Sequence, residues 1–448
     1  MLRTLLRIGL AVAIALIVGV PSCVVWHSRD LPEVLDGDLE IPPLVIEDEE
    51  SNAYTHLERA AAALVWPENP HESLLWPNFG DGWDPGEAEQ LLAGNEAALA
   101  HLLRALEAPS FQMPRRDFFE DSSLEDVSFF RLRHLLPLRA ALHADRGETR
   151  AALEDALTAV RLGHCLQNAD QITLFDMMVG VGFEMHGLRA VREAAAHSPV
   201  DAALARDFEG RLDSFRTEAE AWKRMWAWEY QSHKAVWDKL RASPLVAEGE
   251  AGVIANLAEG DFVDAIRSLI PKAYVFHYRR SLSLEAEFAR SMQRNSFKTC
   301  AELEPPMEFV PEDQDGKLRM VFSPNSVGKI LLAISTPNFG RFQLRRCKAD
   351  TALAATRAVL ALEAYRRERG SLPKSLEELV PTYLSAVPQD GFDGNPLRYL
   401  PERALVYSVG ADLLDEGGPA DEPDEGDLDE PVFRLGDPPN TVGEGAAG

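Results

Sequence analysis

The sequence predicts a mainly helical protein with a small α+β unit near its C-terminal end. Three observations predict it. Apolar residues recur at three- and four-residue spacing through most of residues 51–295, the period of a helix with one buried face. An Ala- and Leu-rich run then stops at Gly370, and turn residues and short β-type runs follow it. Ahead of both lies Ile8 to Trp26, 19 residues without a charge.

Composition sets the outer bounds. The chain has 448 residues, 45 Lys+Arg against 72 Asp+Glu, and a formal net charge of -27. Hydrophobic residues make up 46%, enough for a sizeable core, which excludes wholesale disorder. The acidic excess excludes nucleic acid as a partner through a broad surface, because phosphate attraction needs dense Lys and Arg. Four cysteines are too few for a disulfide-built fold.

At the N-terminus, Arg3 and Arg7 precede the run IGLAVAIALIVGVPSCVVW. Its length suits a bilayer core of ~30 Å, and the two arginines belong on the cytoplasmic side. Residues 1–27 are therefore read as a membrane anchor or a signal segment. The anchor reading gives one pass through a bacterial inner membrane, with the bulk of the chain in the periplasm. A cleaved signal peptide shares the first half of this pattern. Val20-Pro21-Ser22-Cys23 also resembles a lipobox, with Cys23 as the candidate lipidation site, although Pro21 fits that motif poorly. Residues 28–50 are rich in Pro and acid without period, as a spacer would be.

Residues 51–340 read as a helical domain. Ser51-Asn52 can cap a helix running to about Trp66. After a loop at 67–85, Pro85 suits the first turn of a helix over 87–107. Helices are expected at 124–146, 148–169, 171–197, 200–242 and 272–295. Around Gly147 the sequence LRAALHADRGETRAALEDALTAVRL resembles a tetratricopeptide-type hairpin, with Ala152 and Ala159 as its small residues and Ala156 where a bulky aromatic is expected. Only one such unit is visible, and repeat arrays need about three. Along 200–242, Trp222, Trp226, Tyr230, His233 and Trp237 form one aromatic stripe. It is read either as an interaction or ligand face or as core packing. Residues 303–341 are interrupted by Pro305, Pro306, Pro311, Pro324 and Pro337.

An exported chain permits disulfides. Cys300 and Cys347 flank this Pro-rich stretch and could pair, or could stay free together with Cys165, which sits in a helical pattern.

The C-terminal unit is expected over 341–418. A helix from Ala349 to Arg369 ends at Gly370, a left-handed cap. Ser375 and Glu378 are spaced as a capping box. Asp393-Gly394-Asn395-Pro396 is turn chemistry. Leu397–Leu400 and Ala404–Val409 read as strands, and Pro431–Leu435 as a possible third. Residues 419–448 form an acidic tail; from 411 onward, 12 acidic residues face Arg434 alone.

This segment resembles the globular head of the type II secretion major pseudopilin. The resemblance rests on the helix with Tyr365 ending at Gly370, Leu372-Pro373, Leu376, Leu379-Val380-Pro381 and Val387-Pro388. It continues through Asp390-Gly391-Phe392-Asp393-Gly394-Asn395-Pro396, Tyr399 and Tyr407-Ser408-Val409-Gly410-Ala411-Asp412. It covers under a fifth of the chain. The hydrophobic segment lacks the family's Glu and lies some 320 residues before the head, so prepilin processing and pseudopilus assembly do not follow. The whole chain looks similar to large membrane-anchored envelope proteins. What the resemblance does imply is a calcium loop, with Asp412 as acidic ligand, Asp415 as a second carboxylate and main-chain oxygens near Ser408. Calcium takes six to eight such oxygens.

Compact catalytic motifs are absent. Phe183-Glu184-Met185-His186 lacks the second histidine of HExxH, Tyr407-Ser408-Val409-Gly410 lacks the first glycine of GxSxG, and the 11 histidines share no ligand spacing. The sequence therefore points to a membrane-anchored, exported interaction or structural protein of the bacterial envelope, with an envelope protein as partner. An accessory of a type II secretion-like machine, and an exported hydrolase with its site near Trp222–Trp237, are the alternatives.

Overall fold

The computed structural model describes residues 29–41, 49–75, 83–112, 127–170, 172–216, 219–242, 276–305, 307–311, 313–321, 323–336, 339–418 and 431–436. The expected anchor, Cys23 and the acidic run 419–430 lie outside the described residues. Among the described residues, no helix is long and apolar enough to cross a membrane. The protein is mainly helical with one small three-stranded antiparallel sheet.

The longer helices are α1 (Ala53–Ala63), α2 (Pro85–Gly94), α3 (Glu96–Glu107), α4 (Leu135–Asp145), α5 (Thr149–Gln167), α6 (Leu174–His197), α7 (Ala202–Asp213), α8 (Ala219–Ala242), α9 (Tyr278–Asn295), α10 (Ser326–Ser335) and α11 (Phe339–Arg369). Asn52 caps α1 by accepting from Tyr54 N at 3.2 Å. Thr173 and Asp176 form a capping box at the start of α6, each satisfying an otherwise orphaned N–H.

Several helices differ from the expected spans. The one expected over 124–146 is interrupted by a 3-10 turn at Leu132–His134, and the one expected over 272–295 begins at Tyr278. The helix expected over 87–107 is split into α2 and α3. Asn95 between them is fully buried and clamps the main chain of one residue: its Nδ2 donates to Val65 O at 2.8 Å and its Oδ1 accepts from Val65 N at 2.8 Å. The expected 200–242 helix is likewise two helices. α7 ends where Ser214 Oγ donates back to Arg211 O at 2.6 Å, a side-chain competitor of the helix ladder. α11 begins ten residues earlier than Ala349. Its added turns carry Arg346, which donates to Ser296 O at 2.8 Å and Lys298 O at 3.0 Å. Such tertiary ties leave no periodic trace in the sequence.

The chain forms two compact units. The larger comprises Pro43–Met225, Asn295–Leu303 and Gly340–Gly448. Within it, α5 and α6 make the most extensive helix pair. Their backbones approach so closely that a Cβ on Gly163 would lie 2.3 Å from Glu184 N, a separation no side chain tolerates. α11 then runs through the same core: Ala355, Ala358, Val359 and Leu362 are fully buried in one cluster with Leu153, Val160, Leu188 and Phe208. Small residues on α11 let it sit deep among these helices.

The sheet closes this unit. β1 (Arg398–Leu400), β2 (Leu405–Tyr407) and β3 (Val432–Arg434) pair in that order, with Tyr399 opposite Val406 and Val406 opposite Phe433. Val406, Phe433, Leu379 and Tyr383 join the core that holds α11. Gly370 follows α11 with φ 73°, the left-handed cap that glycine supplies without a Cβ clash. Leu376–Leu379 is a 3-10 turn rather than a boxed α-helix: Ser375 makes no cap bond, and Glu378 instead accepts from Lys374 N at 3.1 Å.

The smaller unit comprises Met1–Pro42, Trp226–Arg294 and Glu304–Phe339. Its described part holds most of α8, with α9 and α10. Leu39, Ala227, Tyr230, Ala286 and Ala289 form one buried cluster, and Met320, Val327 and Ile330 another. Asn325 ties the starts of α9 and α10, accepting from His277 N at 2.7 Å and donating to Ser281 Oγ at 3.1 Å.

Candidate functional site

The C-terminal loop around Ser408–Asp415 is organised by a residue the turn chemistry supplies. Asp390 is 2% exposed. Its Oδ1 accepts from Ser408 Oγ at 2.7 Å, Phe392 N at 3.0 Å and Thr351 Oγ1 at 3.2 Å. Its Oδ2 accepts from Val409 N at 3.0 Å and Arg398 at 3.1 Å. Five donors on one buried carboxylate join α11, the turn, β1 and the chain leaving β2. Asp393 accepts from the same Arg398 guanidinium, from Nη1 at 3.1 Å and Nη2 at 2.5 Å. Burial pushes Asp393 up, but the hydrogen bonds from Arg398 and Asn395 outweigh it and hold its pKa down at about 2.

The three expected calcium ligands lie on or beside this framework. The Ser408 hydroxyl is buried and committed to Asp390, so only main-chain oxygens there remain as donors to a cation. Asp412 is exposed, and its Oδ1 accepts from Leu414 N at 2.9 Å. Asp415 accepts from Tyr407 Oη at 2.9 Å and Gly417 N at 3.1 Å, and Arg398 Nε lies 3.6 Å from its Oδ2. A guanidinium beside Asp415 opposes a dication, so of the two carboxylates Asp412 fits a calcium ion better. Among the described residues, no group of three or more His, Cys, Asp or Glu could hold a metal ion.

Cys300 and Cys347 are joined in a disulfide, with Cα atoms 6.1 Å apart. Cys347 is fully buried beside Phe392 and Val409. Cys165 is half-buried and outside any disulfide, and burial pushes its thiol pKa up.

The aromatic stripe is not an interaction face. Trp222, Trp226 and Tyr230 are each 1% exposed and Trp237 is 3% exposed. Trp226 meets Phe288 edge-on at 6.4 Å, and Trp237 stacks on Phe276 at 6.1 Å. Two of the polar tips are absorbed as well. Tyr230 donates to Asp36 at 2.6 Å, and the Trp237 indole donates to Glu285. Rings this deep stabilise the core and leave nothing for a partner to touch.

Beside the stripe lies a charged cluster that the sequence reading missed. His233 sits between Glu285, which its Nδ1 engages, and Glu229, 3.4 Å from its Nε2. Burial pushes the imidazole down, but the hydrogen bonds it donates to both carboxylates and their charge outweigh it, so its pKa is pushed up to about 10. A histidine held protonated is no general base near neutrality. This geometry weighs against hydrolysis at the stripe.

A second missed group lies in the larger unit. Glu184 is 3% exposed and pairs with Gln167. Burial pushes it up; Gln167 opposes this and the Asp350 charge adds to it, giving a pKa of about 8. The signal was present in the sequence: Glu184 stands among Val179, Val181 and Phe183, so an acid lies in an apolar helical run. The nearby histidines are neutral packing. His134 and His186 meet edge-on at 4.9 Å, and burial, helped by Arg133, pushes them down to about 4 and about 2.

No family model, curated protein or solved structure matches the chain.

Proposed function

We propose that the chain is an exported, membrane-anchored protein of the bacterial cell envelope that works by binding other envelope proteins, not by catalysis. The observation that carries this reading is the Cys300–Cys347 disulfide, since disulfides persist in oxidising compartments outside the cytoplasm. The uncharged run Ile8–Trp26 behind Arg3 and Arg7 supports the same placement. In this reading the helical body, with its tetratricopeptide-like hairpin at Gly147, supplies binding surface, and the pseudopilin-like segment caps it. Calcium is proposed to sit at Asp412 with main-chain oxygens near Ser408 and the Asp415 carboxylate.

Alkaline phosphatase fused after residue 448 tests the placement. The fusion is expected to be active only if the C-terminus is exported, and an inactive but intact fusion ends the envelope reading. In vivo crosslinking of the full chain should then capture a defined envelope partner; recovery of uncrosslinked chain alone would remove the binding role. Thermal unfolding in calcium and in chelator tests the ion. Calcium is expected to raise the melting temperature of the wild type and not of Asp412→Ala, and coincident wild-type curves would exclude it.

A further inference from the structure

The smaller unit contains a recess of about 470 Å³ whose described walls come from α9, α10 and the segment between them. That volume lies within the roughly 300–1,000 Å³ of small-ligand sites. One side is apolar, made by Leu284 of α9 with Met307, Phe309 and Met320. Phe309 and Met320 are buried, and Phe309 packs on the Phe288 ring of α9 at 5.8 Å. Core packing therefore holds this side in place.

The same recess is lined by Lys329 of α10, which is half-buried. Its Nζ donates to Ser323 Oγ at 3.1 Å, and that hydroxyl donates in turn to Met320 O at 2.8 Å. An ammonium has three N–H donors and needs acceptors for all of them. Among the described residues no carboxylate pairs with Lys329. Burial pushes its pKa down, and no acidic neighbour opposes the shift. The other charged groups of the recess are exposed. Glu308 forms no ion pair with Lys329. Asp313 accepts from Gly316 N at 2.7 Å, at the start of the short helix Gln314–Val321. Arg319 donates through Nε to Asp315 O at 3.2 Å within that helix.

A half-buried, unmatched cation beside an apolar wall is complementary to one negative charge on an apolar chain. A carboxylate supplies that single charge. A phosphate dianion would bring a second one close to Glu308 and Asp313, which repel it. We propose that this recess binds an amphipathic carboxylate, its head paired with Lys329 and its apolar chain laid against Leu284, Met307 and Phe309. The site does not depend on calcium or on the envelope location.

Calorimetric titration of the full-length chain tests it with 4-phenylbutyrate, octanoate, acetate and neutral 4-phenylbutanol as probes. At least one of the two longer acids is expected to bind, about tenfold or more tighter than acetate or 4-phenylbutanol. Lys329→Met is expected to weaken that binding by about tenfold or more. Its melting temperature should not fall, because the variant removes a charge that the fold leaves unpaired. Met307→Ser, on the apolar side, is expected to weaken binding as well. The proposal is overturned if neither longer acid binds, if 4-phenylbutanol binds as tightly as they do, or if folded Lys329→Met binds like the wild type. Should Lys329→Met not fold, Lys329→Gln takes its place in the same comparison.

Discussion

Ser408 donates its hydroxyl to Asp390 at 2.7 Å, and both residues are almost wholly removed from water. The bond spans 18 residues of sequence and fixes the chain leaving β2 against the turn before β1. Asp390→Ala strands several buried donors at once. We expect a loss of about 3–5 kcal/mol, read as a lower urea midpoint, and about 1 kcal/mol for Ser408→Ala. Equal, small effects from the two variants would show that Asp390 is no keystone.

The disulfide links residue 300 to the early part of α11 across 47 residues. Constraining a loop of that length contributes about 4 kcal/mol in the chain-entropy view. Reduction, or a Cys300→Ala and Cys347→Ala pair, should therefore lower the unfolding midpoint markedly. An unchanged midpoint under reductant would mean that the fold does not lean on this link.

His233 makes stability depend on alkaline pH. Its folded pKa of about 10 lies above its ordinary value of 6.5. Its contribution is therefore complete below about pH 6.5 and is lost as pH rises toward 10. Stability measured from pH 6 to pH 10 should fall, and His233→Gln should flatten that slope. Because removing one member strands buried carboxylate charge, the variant should also cost about 3–5 kcal/mol at pH 6.

Glu184 acts over a different window. Its folded pKa of about 8 exceeds the ordinary 4.5. The unfolded chain ionises first, so this group costs stability as pH rises from 4.5 to 8 and adds no further cost beyond. Each pH unit of that window corresponds to about 1.4 kcal/mol. Glu184→Gln keeps the shape without the charge and should be more stable than the wild type at pH 8, with little difference at pH 4.5. A variant less stable at both values would assign the carboxylate a necessary bond instead.

The sequence by itself determined the helical class, several helix ends and two of the three strands, because the residues that decide them are local. Asn52 caps α1, Gly370 stops α11, and short β-type runs after turn residues mark β1 and β2. What local signals could not carry was the choice of partner. Period shows that the stripe from Trp222 to Trp237 has one face, but not whether that face meets water or another helix. Only the tertiary structure buried it. The same holds for Asn95, whose clamp on Val65 splits one expected helix, and for His233 and Glu285, 52 residues apart. The fivefold role of Asp390 was equally invisible. Each depends on which segments the core draws together, and burial then sets the charge state that the residue type alone leaves open.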